Sequence, residues 1–350
     1  MIDAAFWAGK RVLVTGHTGF IGGWATAWLH SLGAKVTGYA LPPPTSPSFY
    51  DMTGLARRAQ GIIGDIRSVD ALAKAFSAAS PDIILHLAAQ SLVQIGYERP
   101  AETFEINFLG TMNVLEQARR TDAEAVVVMT TDKVYDIGRT CGPCKEDDRL
   151  GAIDAYAASK VCCELAVDTY AHQQYSGAGI GLATVRAGNA VGGGDWAPYR
   201  LIPDMVRALC AGKPLSLRQA DSVRPWQHVL DAVSGILAVA QEAARKRAPV
   251  GAWNIGPNTS RAVTAMEVVS MAAEAWGASL EVDNKNTSAF PETAVLSLDT
   301  TKAQNEIDFS CPWSLEQTIR HTMDWYRAAM SGRDIWLATM DQINAYQAPQ

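Results

Sequence analysis

Three glycines follow a short β-branched run near the start of the chain, and this motif constrains the fold more than any other feature. The run covers residues 11–15, and the glycines are spaced three apart. An apolar helical pattern begins at Phe20, so the motif has a strand, turn and helix context. Such a backbone turns tightly, approaches a pyrophosphate and points helix N–H groups at it, which predicts dinucleotide binding. The residues expected to contact the dinucleotide are Gly16, Thr18, Gly19, Phe20, Ile21 and Gly22.

Strand and helix patterns continue to alternate along the first half of the chain. Short β-branched runs at 35–39, 82–87 and 125–130 are separated by helical patterns such as 101–120. A further helix is predicted to begin near Tyr156, and the run at 181–187 predicts another strand. This order is what a parallel sheet with crossover helices requires, so we predict an α/β fold with a Rossmann-type doubly wound sheet. Glycine, proline and aromatic residues then dominate before the α/β pattern returns. The predicted domains are 1–186 plus 224–256 for the cofactor, and 187–223 plus 257–350 for an interleaved substrate domain.

Later strand ends should complete the cofactor site, because ligands of such sheets bind outside the carboxyl ends of the strands. The acidic residue that would bind the ribose 2′-hydroxyl is absent from 39–42, and no arginine replaces it, so NAD and NADP both stay open there. Asp65 is a candidate for the adenine end, with a turn cap as its alternative. His86 is favoured as a core histidine. The predicted strand-end contacts are Asp65, Ile66, Leu87, Ala88, Ala89, Gln90 and Thr130.

A tyrosine and a lysine four residues apart follow the cofactor half. Tyr156 is the only one of the ten tyrosines with a lysine at this spacing, and that lysine is Lys160. Residues i and i+4 of a helix share a face, so the ammonium should favour the phenolate and lower the pKa of Tyr156 from its reference of about 10. Tyr156 is therefore predicted to act as a base, and ordinary helix surface is the alternative reading.

Composition narrows the possible partners and location of the chain. The net charge of −6 and the pI of about 5.6 argue against binding to nucleic acid or to anionic membranes. No basic and then apolar leader is present, and no apolar run approaches the roughly 18 residues of a membrane span, so we predict a cytoplasmic protein. Cys141 and Cys144 lie in a polar loop, where an incidental pair is favoured over redox or metal use. No metal site is predicted.

Beyond these single motifs, the chain resembles the extended short-chain dehydrogenases that act on nucleotide sugars. Within that family it is similar to the CDP-glucose 4,6-dehydratases over about residues 6–345. Lys133 is the most discriminating position, because related dTDP-glucose dehydratases have glutamate there. The segments that carry the resemblance are FWAGKRVLVTGHTGF, GYALPPPTSPS, TTDKVYD, VRAGNAVGGGDW and RPWQHVLD.

The resemblance implies NAD as the cofactor and CDP-glucose, or a related nucleotide sugar, as the substrate of a hydro-lyase in deoxysugar biosynthesis. It also places Asn107 on the cofactor side. The implied catalytic residues are Thr131, Asp132, Lys133, Tyr156 and Lys160. The implied substrate-binding residues are Gln90, Thr131, Asn189, Asp195, Trp196, Arg200 and Arg224. Arginines suit a diphosphate because the guanidinium offers a planar fork of donors.

Several alternatives stay open at this point. Lys133 is either the base or proton relay for the sugar C5, or a partner that holds Asp132 in place, since an ammonium must lose its proton before it acts as a base. Another nucleotide-sugar dehydratase or a 4-epimerase is the nearest rival function, and a non-catalytic NAD-binding scaffold is a remote one. A homo-oligomer, either dimer or tetramer, is expected.

Overall fold

A parallel sheet forms the centre of the computed structural model, which describes residues 2–139, 142–257, 263–283 and 296–348. The first six strands are β1 (Arg11–Thr15), β2 (Lys35–Ala40), β3 (Gln60–Ile63), β4 (Ile83–His86), β5 (Ala125–Met129) and β6 (Gly181–Ala187). Within the described residues a seventh strand, Gly251–Ile255, completes the sheet in the order Gly251–Ile255, β6, β5, β4, β1, β2, β3. The winding reverses between β1 and β4, which opens a crevice at their carboxyl ends.

Alternating strand residues build an apolar core on each face of the sheet. Val12 and Val14 pack into one buried cluster, whereas Leu13 between them packs into another. Successive side chains of a strand point to opposite faces, and a parallel sheet covered on both faces is apolar throughout. β6 is covered on both faces, because all seven of its residues are buried, including the polar Thr184 and Arg186.

Helices cover the two faces and form much of the second half. The α-helices are Ala4–Trp7, Phe20–Ser31, Phe49–Met52, Val69–Ala79, Val93–Glu98, Pro100–Phe104, Gly110–Ala118, Ala155–Tyr170, Leu201–Ala211, Val229–Lys246, Ala265–Trp276, Thr301–Ile307, Leu315–Met330 and Ile335–Gln347. The π-helical segments are Glu105–Leu109 and Ala171–Tyr175, and the 3-10 segments are Leu55–Arg57 and Asp132–Val134. The short parallel strand pairs are Ala190–Val191 with Gln227–His228, and Leu215–Ser216 with Val282–Asp283. None of the helices in the described ranges is long and apolar enough to cross a bilayer.

The fold class expected from the sequence is confirmed, and several element bounds agree closely. β1 and β6 begin and end at the residues predicted from their β-branched runs. The predicted helix 101–120 corresponds to Pro100–Ala118, in which a π-helical turn links two α-helical parts. Strand Gly251–Ile255 pairs with β6, so the chain returns to the sheet after entering the second half. The division into two domains stays a prediction.

Candidate active site

A cavity of about 730 Å³ opens where the carboxyl ends of the strands face the second half of the chain. The glycine loop, the ends of β4 and β5, the start of helix Ala155–Tyr170 and the segment after β6 form its walls. All the residues predicted for cofactor, catalysis and substrate line it, except Asn107. The fold therefore brings together side chains that are widely separated in the sequence.

The glycine loop has the close packing that a pyrophosphate site needs. Gly16 adopts a φ of +82°, and a Cβ added there would lie 2.7 Å from the backbone nitrogen of Ala88. A Cβ on Gly22 would lie 2.1 Å from the carbonyl oxygen of Gly16. Gly19 caps helix Phe20–Ser31 without a side chain, and the first-turn residues 20–22 line the cavity. The residues present therefore fit a dinucleotide.

Asp65 forms the turn cap that the sequence offered as the alternative, and its contact with the adenine end stays a prediction. Its carboxylate accepts a hydrogen bond from the backbone N–H of Arg67 at 2.8 Å, as a turn cap does, and pairs with the Arg67 guanidinium at 2.6 Å. The hydrogen bond from that guanidinium lowers the pKa of Asp65. Asp65 and Ile66 also line the cavity beside the glycine loop.

Asn107 lies behind the cavity wall instead of in it. Its amide donates to the carbonyl of Gln90 and to the hydroxyl of Ser159, both at 2.9 Å. Its side-chain oxygen accepts the N–H of Gln90 at 2.8 Å. These bonds occupy both the oxygen and the nitrogen of the side-chain amide. Asn107 therefore positions Gln90, which does line the cavity.

Tyr156 and Lys160 lie at the cavity end of helix Ala155–Tyr170, which begins at the cap of Asp154. Burial raises the pKa of Tyr156 to about 12, and a hydrogen bond with Thr131 opposes the rise. The Lys160 ammonium donates to the carbonyl of Met129 at 2.9 Å, and burial lowers its pKa. The lower pKa expected for Tyr156 is wrong, because burial of the phenol, at 9% exposure, outweighs the neighbouring charges.

Asp132 and Lys133 follow Thr131 in a short 3-10 turn. Asp132 is 2% exposed and accepts a hydrogen bond from the Thr131 hydroxyl at 3.1 Å. Burial raises the pKa of Asp132 to about 6, and the charge of Lys133 opposes this rise. Lys133 is half-buried and lines the cavity. Among the described residues no salt bridge joins it to Asp132, whose Oδ2 has no hydrogen-bond partner there.

Two arginines from the second half face the same cavity. Arg200 pairs with Asp195 at 2.9 Å and donates to the Ser91 hydroxyl at 2.8 Å, so it bridges the two halves of the chain. Arg224 also lines the cavity and is largely buried. Trp196 lines it too. Two guanidinium groups beside an indole give a wall that suits a phosphorylated, ring-containing ligand.

Sequence reasoning missed two residues that hydrogen-bond to side chains of the cavity wall. Ser91 was overlooked because its partner Arg200 is distant in the sequence. Glu164 is a buried carboxylate that pairs with Arg186 at 2.8 Å and accepts a hydrogen bond from Thr130. A signal for it existed, because Glu164 follows Lys160 by four residues and so shares its helix face.

Of the two loop cysteines, Cys144 lies within the described residues and is not among those that line the cavity. Cys144 is buried in a small apolar cluster with Leu296 and Leu298, and its backbone pairs with Leu298. Cys141 lies outside the described residues. Within the ranges that the structure covers, no group of three or more potential ligand side chains is placed to hold a metal ion.

Known proteins resemble the chain over nearly its whole length. A profile of the NAD dependent epimerase/dehydratase family matches residues 12–256. CDP-glucose 4,6-dehydratase from Salmonella typhimurium is 39% identical, over 99% of this chain and 99% of that protein. A dTDP-glucose 4,6-dehydratase from Xanthomonas campestris is 27% identical over 90% of this chain and 92% of that protein.

Solved structures repeat the fold. UDP-glucose-4-epimerase from Stenotrophomonas maltophila, with bound NAD, aligns with a TM-score of 0.82 and 22% identity, over 92% of this chain and 99% of that one. A dTDP-glucose 4,6-dehydratase double mutant from Streptomyces venezuelae, with NAD bound, aligns with a TM-score of 0.75 and 25% identity, over 93% of this chain and 99% of that one.

Proposed function

Because the chain belongs to the NAD-dependent epimerase/dehydratase family, we propose that it converts CDP-glucose to CDP-4-keto-6-deoxyglucose with loss of water. The proposal is supported by the 39% identity to the Salmonella CDP-glucose 4,6-dehydratase over the full length. The observation that carries it is Asp132, a buried carboxyl of raised pKa beside Tyr156 and Lys133. A 4-epimerase needs no such acid.

NAD is the cofactor, as the family resemblance implied. When bound, it accepts a hydride from the sugar and returns one within the same turnover. Gly16, Gly19 and Gly22 would hold the pyrophosphate. A Cβ on Gly16 or Gly22 would collide with backbone atoms, and one on Gly19 would lie 3.3 Å from the Gly16 carbonyl oxygen. Lys160 would orient the nicotinamide ribose, because its ammonium lies beside Met129 at the end of β5.

The first step assigned to the chain is removal of the proton from the sugar 4-hydroxyl by Tyr156. Its phenol is buried beside the Thr131 hydroxyl, which would bond the same sugar oxygen. Since burial raises the pKa of Tyr156, the phenolate needs stabilisation during the transfer, and Arg200, whose charge opposes that rise, is placed to supply it.

Elimination then needs one base and one acid on the sugar. Lys133 would take the C5 proton, which the neighbouring 4-ketone makes acidic, and Asp132 would protonate the 6-hydroxyl so that it leaves as water. A carboxyl with a pKa of about 6 carries its proton in an appreciable fraction of molecules near neutral pH. Lys133 as the partner that merely holds Asp132 is the competing assignment.

Substrate choice is tested by incubating the purified protein with CDP-, dTDP-, GDP- and UDP-glucose and NAD. We expect a product lighter by one water, detected by mass, and fastest turnover with CDP-glucose. Turnover of dTDP-glucose at an equal or higher rate would refute the nucleotide assignment. A product of unchanged mass with inverted C4 would identify a 4-epimerase, and no reaction with any sugar would favour the non-catalytic scaffold.

Lys133→Met separates the two roles of that residue. If Lys133 works on C5, the variant still oxidises C4, and exchange of the C5 hydrogen with solvent deuterium collapses. Lys145→Met, in the loop outside the cavity, is the matched control and should exchange normally. Normal C5 exchange with slow water loss in Lys133→Met would leave Lys133 as support for Asp132.

The homo-oligomeric state and the cytoplasmic location remain predictions. Leu109 and Leu165 are 48% and 57% exposed, and they lie on helical segments that pack against each other. Such exposed leucines support a subunit interface on this face. Light scattering on the eluted protein measures the mass directly, and a monomer at micromolar concentration would contradict the prediction.

A further inference from the structure

A chain of buried hydrogen bonds joins the glycine loop to the helix that carries Tyr156. Thr15, the last residue of β1, contacts His86 Nδ1 through its hydroxyl at 2.7 Å. His86 Nε2 contacts the Thr111 hydroxyl at 3.0 Å. Thr111 contacts the carbonyl of Asn107 at 2.6 Å, and the Asn107 amide reaches Ser159. All these side chains are buried.

The direction of each bond in this chain follows from one contact. A carbonyl oxygen carries no proton, so the 2.6 Å contact between Thr111 and Asn107 requires the Thr111 hydroxyl to donate. A hydroxyl has one proton, so Thr111 must accept from His86 Nε2. In a neutral ring Nδ1 then carries no proton, and the Thr15 hydroxyl must donate to it.

Because the Thr15 hydroxyl gives its proton to His86, its oxygen can accept hydrogen bonds from the backbone of the cavity wall. The Ala88 N–H donates to the Thr15 hydroxyl at 3.3 Å, and the Leu87 N–H is shared between that hydroxyl at 3.2 Å and the Thr15 carbonyl at 3.1 Å. Both residues line the cavity, and the Ala88 nitrogen is the atom closest to where a Gly16 side chain would start. His86 itself is 1% exposed and lies behind that wall.

Burial and a neighbouring positive charge both favour the uncharged ring of His86. Burial, followed by the positive charge of Lys160, lowers the pKa of His86 to about 3. Cys163 contacts Thr111 at 3.5 Å, and burial raises the pKa of its thiol, so it brings no counter-charge. An imidazolium would also place a second N–H against the donating Thr15 hydroxyl.

We propose that His86 is a positioning residue for the cofactor site. Held as the neutral Nε2–H tautomer, it sets the Thr15 hydroxyl so that this group accepts the N–H groups of Leu87 and Ala88. It thereby fixes the spacing between the end of β4 and the glycine loop. The inference rests on the proposed NAD contacts of the glycine loop, but the tautomer is measurable without them.

The first test uses the intact wild-type protein. Histidine-selective nitrogen labelling with long-range proton–nitrogen spectra should show His86 among the rings that stay neutral and protonated at Nε2 from about pH 5 to about pH 8. Buried His228, whose Nδ1 accepts the N–H of Leu230, should give a second such signal. Thr111→Val, which removes the acceptor of His86 Nε2, should shift the His86 signal and so assign it. An Nδ1–H tautomer or an imidazolium at His86 in this range would overturn the proposal.

The second test compares two substitutions, each of which keeps one of the two hydrogen-bonding functions of the histidine ring. In His86→Asn, the side-chain oxygen replaces Nδ1 and still accepts from Thr15, so NAD affinity should stay within about threefold of wild type. His86→Gln keeps only the donor to Thr111, so NAD should bind about tenfold more weakly. NAD binding is followed by quenching of tryptophan fluorescence.

Melting temperature distinguishes positioning from a general loss of stability. Each variant loses one bond of the histidine, so both should melt at similarly reduced temperatures. His172→Gln, which changes an exposed ring, is the control and should alter neither quantity. Equal NAD affinities in the two variants would make His86 merely structural. No NAD binding by the wild type would instead refute the cofactor site itself and leave the tautomer result standing.

Discussion

Replacing Asp132 by asparagine should stabilise the protein and block water loss at the same time. The carboxyl is buried, and its Oδ2 has no hydrogen-bond partner among the described residues. An amide keeps the size of the group and the bond from Thr131 but never ionises. It therefore removes the cost of holding a buried charge and also removes the proton donor proposed for the 6-hydroxyl.

The expected gain in the free energy of unfolding follows from the pKa of Asp132. Its rise from 3.8 to about 6 corresponds to about 3 kcal/mol, since each tenfold change in acidity is about 1.4 kcal/mol. Between these two values the folded state binds more protons than the unfolded state, so the wild type loses stability as pH rises. The advantage of Asp132→Asn should be full above about pH 6 and vanish below about pH 4.

Thermal unfolding of the cofactor-free protein at several pH values measures this difference. With an unfolding entropy of about 2.1 cal/mol/K per residue, about 3 kcal/mol corresponds to a melting temperature higher by about 4 °C. Turnover should fall by about 100-fold or more, because the acid is lost. Asp231→Asn is the matched control, since Asp231 is buried with a pKa of about 6, but both its oxygens accept hydrogen bonds.

We expect the Asp231→Asn variant to be about as stable as the wild type or less stable, and to keep its activity. An unchanged or lower melting temperature for Asp132→Asn at neutral pH would refute the reasoning. A gain that persists below pH 4 would refute it as well, because the ionisation of Asp132 would then not be the cause.

Three further outcomes are expected. Gly16→Val should weaken NAD binding by about 100-fold, because its Cβ would lie 2.7 Å from the Ala88 nitrogen; Gly9→Ala, with a similar φ but open space, should bind normally. Tyr156→Phe should bind substrate but fail to oxidise C4, and near-normal reduction of the bound nicotinamide, seen by its absorbance, would exclude Tyr156 as the base. Glu164→Gln should cost about 3 kcal/mol in chemical denaturation, since it leaves a buried guanidinium unpaired; a loss under 1 kcal/mol would contradict this.

Features with a local cause could be predicted from the sequence. The glycine loop, the bounds of β1 and β6 and the start of the helix before Tyr156 depend on residue type and spacing within one segment. The carboxyl ends of parallel strands must meet at one edge, so most residues predicted there do line the same cavity.

The remaining features depend on burial and on partners distant in the sequence. The pKa of Tyr156 rises because the folded chain removes water from the phenol, which spacing to Lys160 does not report. The contact between Arg200 and Ser91 joins two halves of the chain, and no sequence pattern in either segment predicts it. Asn107 has its amide occupied by Gln90, which only the fold reveals.

Strand Gly251–Ile255, at the far edge of the sheet, has a consequence for biosynthesis. β6 is buried along its whole length, and its outer edge pairs with that late strand. While the ribosome is still translating the intervening residues, this edge has no strand to cover it, and unpaired strand edges invite association between chains. A truncated product that stops after Ala187 would keep the edge open permanently. Such fragments should collect in inclusion bodies, and nascent chains of this length should be clients of ribosome-associated chaperones.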